Sequence, residues 1–212
     1  MMKVLFFFWV LLTPLHCWGG NKDFTVSAIP DDVFARMQGK SYKKGCTVPR
    51  SELRLLRCLI KDRQGVTHHG EMIVNKRIAW KVIVILKKLY EAGYPIERME
   101  LIDNYNADDE TSMRHNNSSA FNFRFISHTH KVSKHGLGLA VDINTLYNPY
   151  HKRLKNGTEV VEPATGRPYL DRSRNFPYKI TKGDLCYRLF KAAGFRWGGD
   201  WKTMKDYQHF EY

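Results

Sequence analysis

The chain has 212 residues, of which 43% are hydrophobic and 13% aromatic. This composition excludes a disordered polymer and fits one domain with a sizeable core. A formal net charge of +13 favours polyanions, whether nucleic acid, an anionic membrane or a bacterial wall polymer, and does not choose among them.

Residues 1–19, MMKVLFFFWVLLTPLHCWG, read as a secretory signal peptide. Lys3 is a small basic region, residues 4–12 are an unbroken apolar run too short for a comfortable membrane span, and Cys17-Trp18-Gly19 approximates a cleavage site. Export to the periplasm or the extracellular space is therefore expected, with no transmembrane segment after signal removal. Pro14 and His16 fit a lipid attachment at Cys17 poorly. Export also argues against nucleic acid as a partner. Cys46, Cys58 and Cys186 then remain. They allow one Cys46–Cys58 disulfide with a lone thiol, or three core thiols, and no Cys-x-x-Cys pair suggests a cysteine-ligated zinc.

Residues 20–69 read as an unassigned N-terminal extension in which 51–60 (SELRLLRCLI) is a short strand or helix. The first strong element follows Asn75. Ile78, Ala79, Val82, Ile85, Leu86 and Leu89 recur at helical spacing, with Asn75 placed to cap the start and Gly93 to end it. Residues 99–102 read as a strand, and 103–134, rich in Asn, Ser and His, as long surface loops. Residues 139–143 (LAVDI) predict a strand. Residues 144–180 carry four of the eight prolines and read as an excursion with turns. Thr181 and Asp184 form a capping box for a second helix with Leu185, Leu189, Phe190 and Ala193 on its apolar side. Residues 195–197 and 208–212 predict closing strands. The fold class expected is α+β, a small antiparallel sheet flanked by helices, over residues 70–212.

Two stretches carry chemistry. In SKHGLGLAVD (residues 133–142), His135 and Asp142 are both good zinc ligands, the intervening glycines let the chain turn tightly, and Ala140 leaves room on the face of Asp142. In WGGDWKTMKDYQHFEY (residues 197–212), His209 offers a third ligand. Three protein ligands with one open position is the arrangement of a catalytic zinc. Asp206 is a free carboxylate that can take a proton from water, and Glu211 shares a strand face with His209 and would orient its imidazole. His128 and His130 are rival ligands that read as loop residues.

The pattern Ser-x-His-x-x-Gly-x-Ala-x-Asp, met by Ser133, His135, Gly138, Ala140 and Asp142, followed by Trp-Gly-Gly-Asp-Trp and Asp-x-x-His-Phe-Glu, resembles the VanY-type zinc peptidases. These include D-alanyl-D-alanine carboxypeptidases and L-alanyl-D-glutamate endopeptidases of bacterial cell walls. Upstream, NNSSAFNFR (residues 116–124) resembles the family segment that ends in a functional arginine. The resemblance implies one Zn2+ held by His135, Asp142 and His209, Asp206 as general base where many relatives carry Glu, Arg124 as oxyanion stabiliser, and Ser133 on the substrate side. It further implies peptidoglycan stem peptides as substrate, either bond type remaining open; the basic charge adds an anionic wall polymer as an expected further partner, and a monomer is expected. A zinc-containing binding or signalling module without turnover is the rival reading, since fold does not dictate function. A basic nucleic-acid binder is the third.

Overall fold

The structure, a computed structural model, describes residues 22–126 and 129–212; the expected signal peptide lies outside the described residues. In chain order the elements are β1 (Thr25–Ser27), α1 (Asp31–Met37), β2 (Leu53–Lys61), β3 (Thr67–Asn75), α2 (Lys76–Glu91), α3 (Asp109–Arg114), β4 (Ala140–Asp142), β5 (Tyr150–Arg153), β6 (Glu159–Glu162), α4 (Leu185–Ala192), β7 (Arg196–Trp197), β8 (Lys205–Asp206) and β9 (His209–Glu211). Among the described residues the expected single sheet is replaced by three, each three-stranded and antiparallel, in the orders β1-β2-β3, β4-β9-β7 and β6-β5-β8.

After a 3-10 turn at Arg50–Glu52, the rest of the 51–60 stretch resolves as strand β2, because its apolar side chains serve two faces at period two. Leu56, Cys58 and Ile60 join the core under α2, whereas Leu53 and Leu55 join a second core with Val33 and Met37 of α1. The expected boundary at 69/70 falls inside β3, and residues on both sides of it share one core. Cys46, Cys58 and Cys186 are all free thiols. Among the described residues no helix is long and apolar enough to cross a membrane.

Helix α2 follows its sequence pattern. Ile78, Ala79, Val82, Ile83, Ile85, Leu86 and Leu89 are buried, and the Asn75 side chain accepts the Arg77 N–H at 3.0 Å. Such a cap stabilises a helix by about 1 kcal/mol. Asn75 also holds the next part of the fold. Its backbone N–H donates to Gly138 O at 2.8 Å and its amide to Leu137 O at 3.3 Å. Helix α4 starts later than its sequence suggests. Asp184, not Thr181, is the cap, accepting Tyr187 N–H at 2.8 Å, while the Thr181 N–H itself donates to Asp184 at 3.0 Å.

The reading of 103–134 as surface loops is corrected over its middle. Asn116, Asn117, Ser118 and Asn122 are buried. Their side chains replace ladder partners: Asn117 exchanges bonds with the Glu100 N–H (2.8 Å) and carbonyl (3.1 Å), and Ser118 Oγ accepts Asn144 N–H (3.0 Å). Polar residues that complete backbone pairing are compatible with burial. Residues 99–102 are likewise not a strand. They form an extended run, with Glu71 N–H donating to Met99 O at 2.9 Å, that enters a 3-10 turn at Ile102–Tyr105.

The excursion after β4 is gathered around one cation. The Arg172 guanidinium donates to the carbonyls of Tyr147 (2.8 Å) and Ile180 (2.8 Å) and to Asn148 Oδ1 (2.9 Å), and lies 4.4 Å from the Tyr207 ring centre. Only a planar, five-donor head can satisfy partners in these several directions. Arg172→Ala is expected to lower unfolding free energy by about 2 kcal/mol or more, since carbonyls are left without donors. Arg172→Lys should recover less than half of that loss in urea denaturation.

Candidate metal centre

The register of β4 against β9 sets Asp142 directly opposite His209. Facing residues in an antiparallel pair project to the same side, so the two side chains meet, with His209 Nδ1 3.0 Å from Asp142 Oδ1. His135 arrives from the turn before β4. That turn is tight because Gly138 has φ +67° and sits where a Cβ would come 2.8 Å from Asn75 N. On the other edge of β4, Ser119 and Asp142 exchange both backbone bonds, at 3.0 and 2.8 Å. This carries the Ala120 carbonyl under the imidazole, where it accepts from His135 Nδ1 at 2.7 Å. A carbonyl can only accept, so Nδ1 carries the hydrogen and Nε2 is left as the ligating nitrogen.

His135, Asp142 and His209 are all buried, and one ligand atom from each lies within 4.8 Å of the others. His135 Nε2 is 3.2 Å from Asp142 Oδ2 and 3.0 Å from His209 Nδ1. Two ring nitrogens this close beside a carboxylate need a proton or a cation among them. The donor set, two imidazoles and a carboxylate, fits a small divalent metal ion.

The electrostatics carry the same sign. Burial would raise Asp142, but the charge of His135 and hydrogen bonds from both histidines hold its carboxyl well below the usual carboxylate range. Burial would lower His209, but its bonds to Asp142 and Glu211 and the charge of Asp206 push it up to about 10. Asp206 is pushed up to about 7, first by burial and then by the Asp142 charge, with His209 opposing. Its Oδ1 is sealed from solvent and has no hydrogen-bond partner, an atom placed to receive a proton.

These groups line a cleft of about 790 Å³. Of the residues singled out in the sequence, the cleft brings together His135, Asp142, His209, Asp206, Arg124, Ser133 and Glu211. Glu211 Oε2 lies 3.6 Å from His209 Nε2, and its other oxygen pairs with Arg196 at 2.7 Å. The Ser133 hydroxyl is already engaged, accepting Gly136 N–H at 2.9 Å, so its shown work is to shape the turn. His130 is exposed and outside the cluster, and His128 lies outside the described residues. Sequence reasoning missed Asp109, Glu162 and Tyr150 on the cleft wall, and Asp109 and Glu162 come from remote segments. Trp201 of the Trp-Gly-Gly-Asp-Trp motif also lines the cleft, its ring centre 5.4 Å from that of His209.

Residues 127–212 match the family model described as D-alanyl-D-alanine carboxypeptidase. The resemblance read from the two motifs is thus borne out over that span, which contains Ser133, His135, Asp142, Asp206 and His209, whereas Arg124 lies upstream of it. The match supports a peptidase of that type. No solved structure matches the chain significantly.

The signs of the two raised groups make a test of the metal-free protein. Asp206 and His209 both bind protons more tightly folded than unfolded, so each loses stability as pH rises, Asp206 through about 7 and His209 through about 10. Thermal unfolding after chelation should therefore show a falling melting temperature from pH 5 to 9, with a smaller fall in Asp206→Asn. Saturating divalent metal should raise the melting temperature, more at pH 8 than at pH 5, because the ligating histidines must be neutral.

Proposed function

We propose that this chain is an exported zinc-dependent peptidase that hydrolyses peptide bonds in peptidoglycan stem peptides, of the D-Ala-D-Ala carboxypeptidase or L-Ala-D-Glu endopeptidase type. The observation that carries this reading is the buried His135–Asp142–His209 cluster lining a cleft, with the Asp206 carboxylate and its unpartnered Oδ1 beside it, in a segment matching a D-alanyl-D-alanine carboxypeptidase family.

His135, Asp142 and His209 would hold the zinc, and the Ala120 carbonyl keeps His135 in the ligating tautomer. Zinc bound there supplies Lewis acidity, which acidifies water and polarises a carbonyl. Asp206 accepts the proton of the attacking water at Oδ1 and returns it to the leaving amine. In the metal-free protein burial raises the Asp206 pKa, and a bound cation would draw it back toward the ionised form that accepts a proton. Arg124, a cation on the cleft wall, faces the negative charge that develops on the scissile carbonyl oxygen. Glu211, held by Arg196, steadies the far nitrogen of His209. The basic chain as a whole suits an anionic wall polymer, and a monomer is the working unit we propose.

The test is release of fragments from purified peptidoglycan and defined stem peptides by zinc-loaded protein, read by mass spectrometry, which also tells which bond is cut. Asp206→Ala should lower kcat by about 100-fold or more while zinc content stays at one per chain. kcat/KM should fall on the acid side as Asp206 takes up its proton, at a pH below about 7 because the zinc charge favours the carboxylate. Absence of any product, or full activity in Asp206→Ala, would overturn the reading.

A further inference from the structure

The Arg124 side chain does not reach the cleft alone. Its Nε lies 2.6 Å from Asp109 Oδ2, and both residues line the cleft wall. Asp109 in turn accepts from the amide of Asn122 at 3.0 Å through its other oxygen. Asn122 is buried; its amide also donates to Ala107 O at 3.1 Å, and its backbone N–H donates to His135 O at 3.3 Å. A continuous set of contacts thus runs from the backbone of a metal-ligating residue through Asn122 and Asp109 to the Arg124 guanidinium.

The Arg124 backbone is fixed from the same side. Its carbonyl accepts Ser133 N–H at 2.9 Å. Gly136 packs so closely that a Cβ there would lie 2.8 Å from Arg124 O and 3.1 Å from Arg124 N. The backbone of Arg124 is therefore pressed against the ligand turn, and what remains free is the long side chain. An unrestrained arginine side chain carries about 2 kcal/mol of rotamer entropy. The Arg124 ion pair is with Asp109, and the Arg124 charge also acts on Glu162 across the cleft wall. The helix start does not need Asp109, because the preceding Asp108 already caps α3 by accepting Thr111 N–H at 2.8 Å.

We propose that Asp109 is a positioning residue, held by Asn122, that keeps the Arg124 guanidinium directed along the cleft wall toward the metal cluster. This rests on the role given to Arg124 under the proposed function. Asp109 contributes to the rate only through Arg124, and its removal changes kcat rather than KM.

Two measurements on the full zinc-loaded protein test it. In the first, Asp109→Asn should lower kcat on a stem peptide by about 10-fold to 100-fold, with KM and zinc content unchanged and partial recovery in Asp109→Glu. Arg124→Ala should lower kcat by about 100-fold to 1000-fold, and the double variant should be no slower than Arg124→Ala alone. Losses that multiply in the double variant, or full activity of Asp109→Asn, would overturn the inference. The second measurement needs no turnover. Nitrogen relaxation at Arg124 Nε, assigned with Arg124→Lys, should report an ordered side chain in the parent protein and a mobile one in Asp109→Asn. Equal order in both would overturn the inference. Loss of order in Asp109→Asn together with full activity of Arg124→Ala would instead leave the positioning contact standing and remove Arg124 from the proposed mechanism.

Discussion

Everything at this site depends on which residue of β4 faces which residue of β9. The pairing of Asp142 with His209 puts a carboxylate and an imidazole on one side of a two-strand ladder at contact distance. A slip by one residue would turn both to the opposite face and bring Val141 or Phe210 to the cleft. The register is secured because that opposite face is core. Val141 and Phe210 are fully buried, and Phe210 stacks on Phe190 with ring centres 4.3 Å apart. The apolar side of the ladder therefore fixes the polar side, and truncating Phe210 would disturb the cluster without touching it.

Asp206 stands on a different sheet from Asp142 and His209. Asp206 pairs with Tyr150 across β8 and β5, whereas His209 belongs to β9. Only Tyr207 and Gln208 separate these strands, so the chain changes sheets between Asp206 and His209. At the change, Gly198 lies so close that a Cβ would sit 2.5 Å from Asp206 O, which gives the Trp-Gly-Gly-Asp-Trp motif a packing reason. The Asp206 carboxylate is thus carried on backbone whose position is set by pairing with β5 and by the close approach of Gly198.

Much of this was legible in the sequence, and the failures share a cause. Helix α2 and its Asn75 cap, β4 and the closing strands follow from local periodicity and from residues that act on near neighbours. The ligand set followed from two motifs whose spacing a family resemblance made meaningful. Three things were not legible. Residues 20–69 read as an extension because β2, within them, is buried on both faces and so lacks the simple alternation of a one-sided strand. The Asn- and Ser-rich run at 116–122 read as surface because its side chains pair with backbone far away in sequence. Asp109 had no sequence signal at all, since its meaning comes from Asn122 and Arg124, which tertiary structure brings to it. Local rules succeed where partners are local; these partners are not.

The hydrogen bond between Asn75 and Gly138 joins the first turn of α2 to the turn that delivers His135. Fraying of that helix end and loosening of the ligand turn are then one opening event, belonging to a single cooperative unit. A cation bound by the cluster would then slow solvent exchange of the amide protons in the first turns of α2, although the cluster stands on another sheet.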